Sequence, residues 1–526
     1  MAQSPWISTS ASLGLSSDFY QQNGLTESRL PSQVHRATLR ATITLFEQIE
    51  LPFEAFITSN DAGYRQPFNQ FGVNPRFGNW LQLHAGYFST RISDLTFGDA
   101  RILGGGFDLT PGKLRLSAIY GYTREARNPD ATNGFFGDYR RKVIGGKIGI
   151  GDETGTTVTL NVMYATDDST SIRRDTLTPT PNENLVGSIA AGFNLLDNVI
   201  RFTAEGAVSA YTSNTQAPLI DSASRSKFQE SVFNANISSA FDAAVKGGLT
   251  LTPSQYWNIR FDAQWIGPGF MSLGFVQMMN DVLDMTVSPS LRLFNNKFFL
   301  RGSIGRRTNN VRNTRLAATD RTIGSLTSSM QFTENIGLDV MYSNFGMRST
   351  HRSDTIRVEN ISQMYSFTPR ATFELLGGSN SASLTASFQN SDDKNQFSQS
   401  AVNNTTQSFV AVHTISFPSS LSLSTTAFSN SVQNSVVNTS ILTFNETVGY
   451  SFFERLLGLS ATLGVNFIRS QGNDAQFMAR LSANFNMNEY GSFTLQLMNN
   501  NYDFSAISRQ PSYSEYQGSI QYSIAY

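Results

Sequence analysis

The sequence predicts an all-β chain, a membrane-spanning antiparallel up-and-down β-barrel of about 26 strands, with 24 the close alternative. Three observations predict it. Apolar and polar residues alternate along the whole chain, short turns alternate with longer polar connectors, and the composition is poor in charge and rich in aromatics. No linker or change of period divides the 526 residues. Residues 1–526 are therefore expected to form one barrel domain, with 60–79 either an irregular strand or a segment folded into the lumen.

Taken in chain order, the strands declare themselves by period two, because successive Cβ atoms point to opposite faces. In "LRATITLF", Leu39, Ala41, Ile43 and Leu45 oppose Arg40, Thr42 and Thr44. In "LRLSAIYGYT", Leu114, Leu116, Ala118, Tyr120 and Tyr122 oppose Arg115, Ser117 and Thr123. "IRFTAEGAVSA" sets Ile200, Phe202, Ala204 and Val208 against Arg201, Thr203, Glu205 and Ser209, and "WNIRFDAQW" sets Trp257, Ile259, Phe261, Ala263 and Trp265 against Asn258, Arg260, Asp262 and Gln264. "FMARLSANFNM" and the last segment, "YQGSIQYSIAY", repeat the pattern. Between 54 and 101 it weakens: Phe68, Phe71 and Val73 fall on mixed registers, and Pro67 and Pro75 cannot donate to a ladder.

The connectors are the more discriminating sign. Short turns such as "LTPGKL", "LLDNV", "FNNKF", "FERLL" and "MNEYG" alternate with longer polar stretches, as in barrels with short periplasmic turns and long extracellular loops. Aromatics crowd the strand ends at the short turns, among them Phe46, Phe53, Phe294, Phe298, Phe417, Phe452, Phe453, Tyr490 and Phe493. They are expected at the headgroup level of the inner rim.

Only 15% of residues are charged, against about 25% in an average soluble protein. Phe and Tyr number 40 and 18, which suits strands better than helices. No apolar run reaches the ~18–20 residues of a transmembrane helix, so entry into a bilayer requires a closed barrel that satisfies its own backbone. Cysteine is absent, which excludes disulfides, thiolate catalysis and Cys-ligated metal. A net charge of −1 offers nucleic acid no footprint. "MAQSPW" lacks a basic segment followed by an apolar one and is taken as the start of a chain without its signal peptide.

The final alternation, with Ile520, Tyr522, Ile524 and Tyr526 on one register, resembles the C-terminal signal of bacterial outer-membrane barrels. That resemblance implies an integral outer-membrane location, contact with lipid and lipopolysaccharide, and insertion by the barrel-assembly machinery. "FGVNPRFGNWLQLHAGY" (71–87), "LGGGFDLTPGKLRLSAIYGYT" (103–123) and "IGPGFMSLG" with "SPSLRLFNNKFFLRGSIG" (266–305) resemble large outer-membrane barrels of the Bacteroidota. This family implies fold and location and carries over no site. The chain resembles TonB-dependent transporters in barrel size only, since alternation begins by Trp6.

A circular wall of 26 strands spaced ~4.8 Å and tilted ~40° would be roughly 50 Å across, too wide for side chains to fill. The expected lumen lining is Arg40, Arg115, Lys147, Arg201, Glu205, Arg260, Asp262, Asp284, Arg292, Arg301, Asp339, Arg370, Glu374 and Arg480, with Asp108 on the same register. Cross-strand ion pairs that stiffen the wall and a weakly anion-leaning pore both account for it. Arg306, Arg307, Arg312, Arg315 and Arg321 stand against the single Asp320 and are expected in a basic extracellular loop. That loop is either simply solvated or able to bind phosphate and carboxylate through Arg forks. "GFMSLGFVQMMNDVLDM" (269–285) is apolar and Met-containing, suited to capping the lumen or docking a partner.

Catalysis is not expected. His35, His84, His351 and His413 are scattered without a metal-binding spacing, and "GGGFDL" lacks the Gly-Lys-Ser/Thr of a phosphate loop. Neither metal nor cofactor is anticipated. The expected function is a porin-like channel for polar solutes. The alternative is a non-catalytic barrel that anchors, exports or scaffolds a partner protein through its lumen or loops.

Overall fold

The computed structural model describes residues 6–526 apart from 60–69, 99, 131–133, 153–154, 174–177, 221–232, 234, 351–357, 394–402, 435–437 and 509. The wall begins with β1 (Ile7–Asn23), β2 (Gln33–Leu45), β3 (Ile49–Thr58), β4 (Gln70–Val73) and β5 (Arg76–Phe77). It continues through β6 (Leu81–Ser89), β7 (Arg101–Leu109), β8 (Leu114–Arg124), β9 (Arg140–Gly151) and β10 (Thr157–Asp168). Next come β11 (Glu183–Leu195), β12 (Ile200–Thr212), β13 (Ser239–Ser254), β14 (Trp257–Ile266), β15 (Val282–Leu293) and β16 (Phe298–Asn309). Then β17 (Ala318–Gln331), β18 (Ile336–Thr350), β19 (Glu359–Leu375), β20 (Gly378–Asp393), β21 (Asn404–Ser416) and β22 (Leu421–Asn434) follow. The chain ends with β23 (Asn438–Phe452), β24 (Leu457–Arg469), β25 (Asn473–Asn486), β26 (Ser492–Asp503) and β27 (Tyr513–Ala525).

Each strand pairs antiparallel with its sequence neighbours, and β27 returns to β1 from Ser12↔Ala525 to Asn23↔Ser514, closing the sheet. β4 and β5 share one place, since both pair with β3 and with β6. The wall therefore has 26 positions. The break falls at Asn74–Pro75, where Pro75 has no N–H to give. Asn74 N donates to the Pro52 carbonyl at 3.1 Å and the Pro75 carbonyl accepts Leu83 N at 2.7 Å, so the ladder is bridged rather than cut. The irregular segment expected at 60–79 thus has its 70–77 portion in the wall, and its 60–69 portion lies outside the described residues.

The short turns use left-handed backbone. Phe46–Glu47, Leu196–Asp197, Phe294–Asn295 and Phe453–Glu454 all have φ between 50° and 56°. Consecutive left-handed residues give the turn whose twist matches that of the flanking strands. The apolar first residue of each turn is exposed, from 56% at Phe46 to 74% at Phe294, and crowns the short-turn rim.

Pairing fixes the two faces of the wall. Residues opposite one another share a face, so a continuous set of pairs labels inside and outside around the whole circuit. The outer register carries Leu39, Ile148, Leu160, Val208, Phe261, Ile304, Phe367, Phe444, Leu481 and Ile520, all exposed. A closed sheet with an apolar exterior and a polar interior leaves no backbone edge for lipid to solvate. The chain is an integral outer-membrane barrel; among the described residues no helix is long and apolar enough to cross a membrane.

Candidate functional site

The buried core of this protein lies inside the barrel, on one side. Two connectors at the long-loop end fold inward: residues 90–98, between β6 and β7, and residues 267–281, between β14 and β15. Their Ile92, Leu95, Phe97 and Phe270 pack against inward side chains of the wall, including Phe88, Ile102, Ile119, Val143, Met163, Val186, Ala244, Ile266 and Val282. Leu95, Phe97 and Phe270 are completely buried. Burial of each side chain contributes about 1.5–3 kcal/mol. The wall residues come from β6 to β15, so this plug covers only that arc of the lumen.

The two plug segments are joined to each other and pinned to the wall by polar groups. Phe97 and Gly274 form an isolated parallel bridge, with Gly98 N donating to the Gly274 carbonyl at 3.3 Å. Ser272 Oγ donates to the Thr96 carbonyl. A Cβ at Gly274 would overlap that same Thr96 oxygen, which is why glycine is needed at the crossing. On the wall, Asn184 is fully buried; its Nδ2 donates to the Met271 carbonyl and its Oδ1 accepts Leu273 N, both at 2.9 Å. Ser209 Oγ donates to the Met271 carbonyl at 2.6 Å. Glu205 accepts Asp94 N at 3.0 Å and Leu95 N at 3.3 Å, and Lys246 Nζ reaches Asp94 Oδ2 at 2.6 Å. Lys147 Nζ donates to the Arg91 carbonyl at 3.3 Å.

A latch holds the second plug segment from above. Arg312 Nη2 donates to Asp242 at 2.6 Å while its guanidinium sits 5.3 Å from the Trp265 ring centre. Asp281, fully buried, accepts Val311 N at 2.9 Å and lies 3.4 Å from Arg315 Nε. Arg312 and Arg315 are thus tied down as clamps. The other three arginines expected in that loop belong to strands. Arg306 and Arg307 lie on β16 and Arg321 on β17, because the ladder extends further up than the sequence pattern suggested. Arg307 Nε pairs with Asp284 at 2.9 Å.

All the predicted lumen residues fall on the inner register. Arg40 lies 3.2 Å from Glu54, Arg260 Nε donates to Asp262 at 2.7 Å, and Arg370 Nε donates to Asp339 at 3.1 Å. Arg115 donates to the Gly112 carbonyl at 2.9 Å, Arg292 stands 5.5 Å from the Phe299 ring centre, and Arg480 contacts Met498 Sδ at 3.5 Å. Arg201, Arg301 and Glu374 face inward opposite Thr250, Ser290 and Ser379. Arg201, Lys246, Arg260 and Asp262 share a polar cleft of about 580 Å³ with Arg91 and Asp94 of the plug. His84 joins a buried network with Asn74 and Asp108 at 2.8 and 2.9 Å. Ser117 donates to Asp108 and not to the imidazole, an arrangement that orients no nucleophile. His351 lies outside the described residues.

Opposite the plug, the inner face is neutral. From β20 to β27 it presents mainly Ser, Thr, Asn and Gln, with Val410, Val412, Phe428 and Met478 among them, and hydroxyls and amides pair strand to strand: Thr414 with Ser424 at 3.0 Å, Thr447 with Thr462 at 2.9 Å, Asn484 with Thr494 at 3.0 Å and Ser492 with Ser523 at 2.8 Å. Among the described residues of this arc, Arg480 is the only charged inward side chain more than three residues from a strand end. One lumen therefore has two walls, a charged one carrying the plug and a hydroxyl one that the plug core of the described residues does not reach. No group of His, Asp or Glu that could hold a metal occurs among the described residues. Of the residues expected to form an assembly signal, Ile520, Tyr522 and Ile524 lie on the outer register of β27, and Tyr526 N donates to the Ala11 carbonyl at 2.7 Å.

Sequence reasoning found the 269–285 stretch and missed 90–98. A usable signal was present: "RISDLTF" carries three large apolar residues in a connector where only polar ones are needed. Asn184 and Ser209 gave no sign, being ordinary polar residues on an inner register.

No known protein family matches this chain, and no curated protein matches it. Among solved structures it is similar to the translocation pore of the P pilus usher (PapC), at 11% identity over 98% of both chains with a TM-score of 0.36. It is also similar to a mutant of the ferric enterobactin receptor (PfeA) from Pseudomonas aeruginosa, at 10% identity over 98% of this chain and 80% of that one, TM-score 0.42. OccAB4 of Acinetobacter baumannii matches at 10% identity over 70% of this chain and 97% of its own, TM-score 0.32.

Proposed function

We propose that this chain is a non-catalytic outer-membrane barrel that holds or conducts a partner polypeptide through the part of its lumen beside the plug. The supporting observation is the asymmetry of the inner wall. The plug is anchored along β6–β15, and among the described residues no buried core packs against the Ser/Thr/Asn wall of β20–β27. A gap there, in a bore of roughly 50 Å, would breach the outer membrane if nothing occupied it. That wall has many of its hydroxyls and amides paired along the sheet and almost no charge, so an extended chain can lie against it without being gripped. We take 1–526 as one barrel unit, of the Bacteroidota type that 71–87, 103–123 and 266–305 resemble, with outer-membrane lipid, lipopolysaccharide and the assembly machinery as its further partners.

A photo-crosslinking residue at Thr462, on the hydroxyl wall, and another at neighbouring Leu463, on the lipid face, test the reading in native membranes. A discrete polypeptide adduct at position 462 and none at 463 is expected. No adduct at 462, together with a large steady conductance of the barrel taken directly from its native membrane, would replace this reading with an open channel for polar solutes. One observation favours that second reading: Arg201 and Arg301 on the lumen wall have no acidic partner within 4 Å among the described residues.

A further inference from the structure

A row of polar side chains crosses the lipid-facing register where its surroundings are apolar. Pairing aligns His413 of β21, Thr425 of β22 and Glu446 of β23. The same set of pairs leads through Leu463, Ala479 and Asn499 to Tyr516 on the outer face of β27, which fixes the row as external. Thr425 Oγ1 donates to Glu446 Oε2 at 2.6 Å. Asn380 Oδ1 lies 3.1 Å from His413 Nε2, and Phe373 stacks on the imidazole at 6.3 Å between ring centres. Phe444 and Val448 flank Glu446 along its strand and Leu463 stands beside it, all three exposed.

Depth makes this row unusual. Glu446 is the seventh residue from the short-turn end of β23, roughly 15 Å above the rim for a strand tilted ~40°, near the middle of an apolar band ~25 Å tall. Among the described residues, every Asp, Glu, Lys, Arg or His on the outer register other than Glu446 and His413 lies within four residues of the long-loop end of its strand. An ionisable group facing hydrocarbon at this depth is disfavoured and marks a contact. One hydroxyl does not replace the hydration of a carboxylate. His413 is two strand spacings away, roughly 10 Å, and cannot pair with Glu446 of its own chain.

We propose that this face is the interface between two copies of the chain, related by a two-fold axis along the membrane normal that passes near Thr425. Facing copies reverse left and right, so His413 of each copy comes to the same side as Glu446 of the other, three residues nearer the short-turn rim and so roughly 7 Å lower because the row climbs with the strand tilt; the two side chains reach along that step, and the two threonines meet at the axis. The row is complementary to itself, which is what an isologous contact requires. Ala382, Ala411 and Ala427 border the row on the same register, and their small side chains let the two sheets approach closely.

The chain contains no cysteine, so a single introduced thiol reports alone. Thr425→Cys is compared with Val162→Cys, a lipid-facing position on β10 at similar depth. Mild oxidation in membranes is expected to give a covalent homodimer with T425C and none with V162C, while native mass spectrometry of the unsubstituted barrel gives a dimer. Glu446→Ala and His413→Ala are expected to raise the dimer dissociation constant at least tenfold, with heat-modifiable mobility on gels confirming that each variant is folded. Dimers from both thiols, no dimer from a folded T425C barrel, or an adduct with a different polypeptide would each overturn the proposal.

Discussion

Asn184 shows how much of the plug depends on single residues. It donates to the Met271 carbonyl and accepts from Leu273 N, holding both sides of the chain turn from a position with no access to water. Asn184→Ala strands Leu273 N, leaves the Met271 carbonyl to Ser209 alone, and is expected to weaken plug docking by about 1–3 kcal/mol. Amide exchange across 267–281 should accelerate while the melting of the barrel stays unchanged; unchanged exchange would show the anchor to be dispensable. Asp94 sets a pH limit. Burial pushes its carboxyl up, but the hydrogen bond and charge of Lys246, with Arg91, outweigh this and hold it below the usual carboxylate range. A depressed folded value means the stabilisation is present above the ordinary Asp range and is lost as pH falls through the lower value. Plug release is therefore expected only on acidification below about pH 4, seen as a rise in single-channel conductance. Asp94→Asn should remove that pH step, and its persistence would place the titrating group elsewhere.

At the scale of elements, the plug is two connectors that share one core with the wall of β6–β15. Phe97 and Phe270 are fully buried within it. Truncating either to Ala is expected to cost about 3–5 kcal/mol of docking, with protease cleavage appearing in both connectors whichever is truncated. Cleavage confined to the mutated segment would mean that they dock independently. The latch is a separate device: Arg312→Ala frees Asp242, whose side chain is 4% exposed, and about 1–3 kcal/mol of loosening is expected, confined to 267–281. Hydrogen exchange at 90–98 is the control, because Arg312 makes no contact there among the described residues.

For the whole molecule, closure by β1 and β27 makes the wall a continuous sheet whose backbone ladder leaves no edge and does not run through the plug. Removal of residues 270–279 is accordingly expected to leave a folded, heat-modifiable barrel with a higher conductance in a planar bilayer. Loss of the folded barrel would mean that the plug is part of the wall's own packing. The two-walled lumen also predicts a division of effects. Substitutions at Arg201 or Arg260 should alter ion selectivity, and Thr447→Val on the hydroxyl wall should leave it unchanged.

The alternation of side chains by itself determined which residues face lipid and which face the lumen, because period two is a local property of a strand and survives any long-range arrangement. Arg40, Glu205, Asp262 and Arg480 were placed on one face from their neighbours alone, and the pairing around the circuit puts them on one face. The irregularity at Pro75 was legible too, since a residue without an N–H cannot donate to a ladder. What only the tertiary structure decided is everything that depends on contacts between distant segments. The meeting of Phe97 with Gly274, the burial of Asn184 beneath Met271 and the capture of Asp242 by Arg312 join residues from different strands and loops, and no local pattern records them. The loop arginines became clamps and strand residues for the same reason. Their partners are set by how far the ladder climbs and where the plug comes to rest, both of which follow from packing in three dimensions.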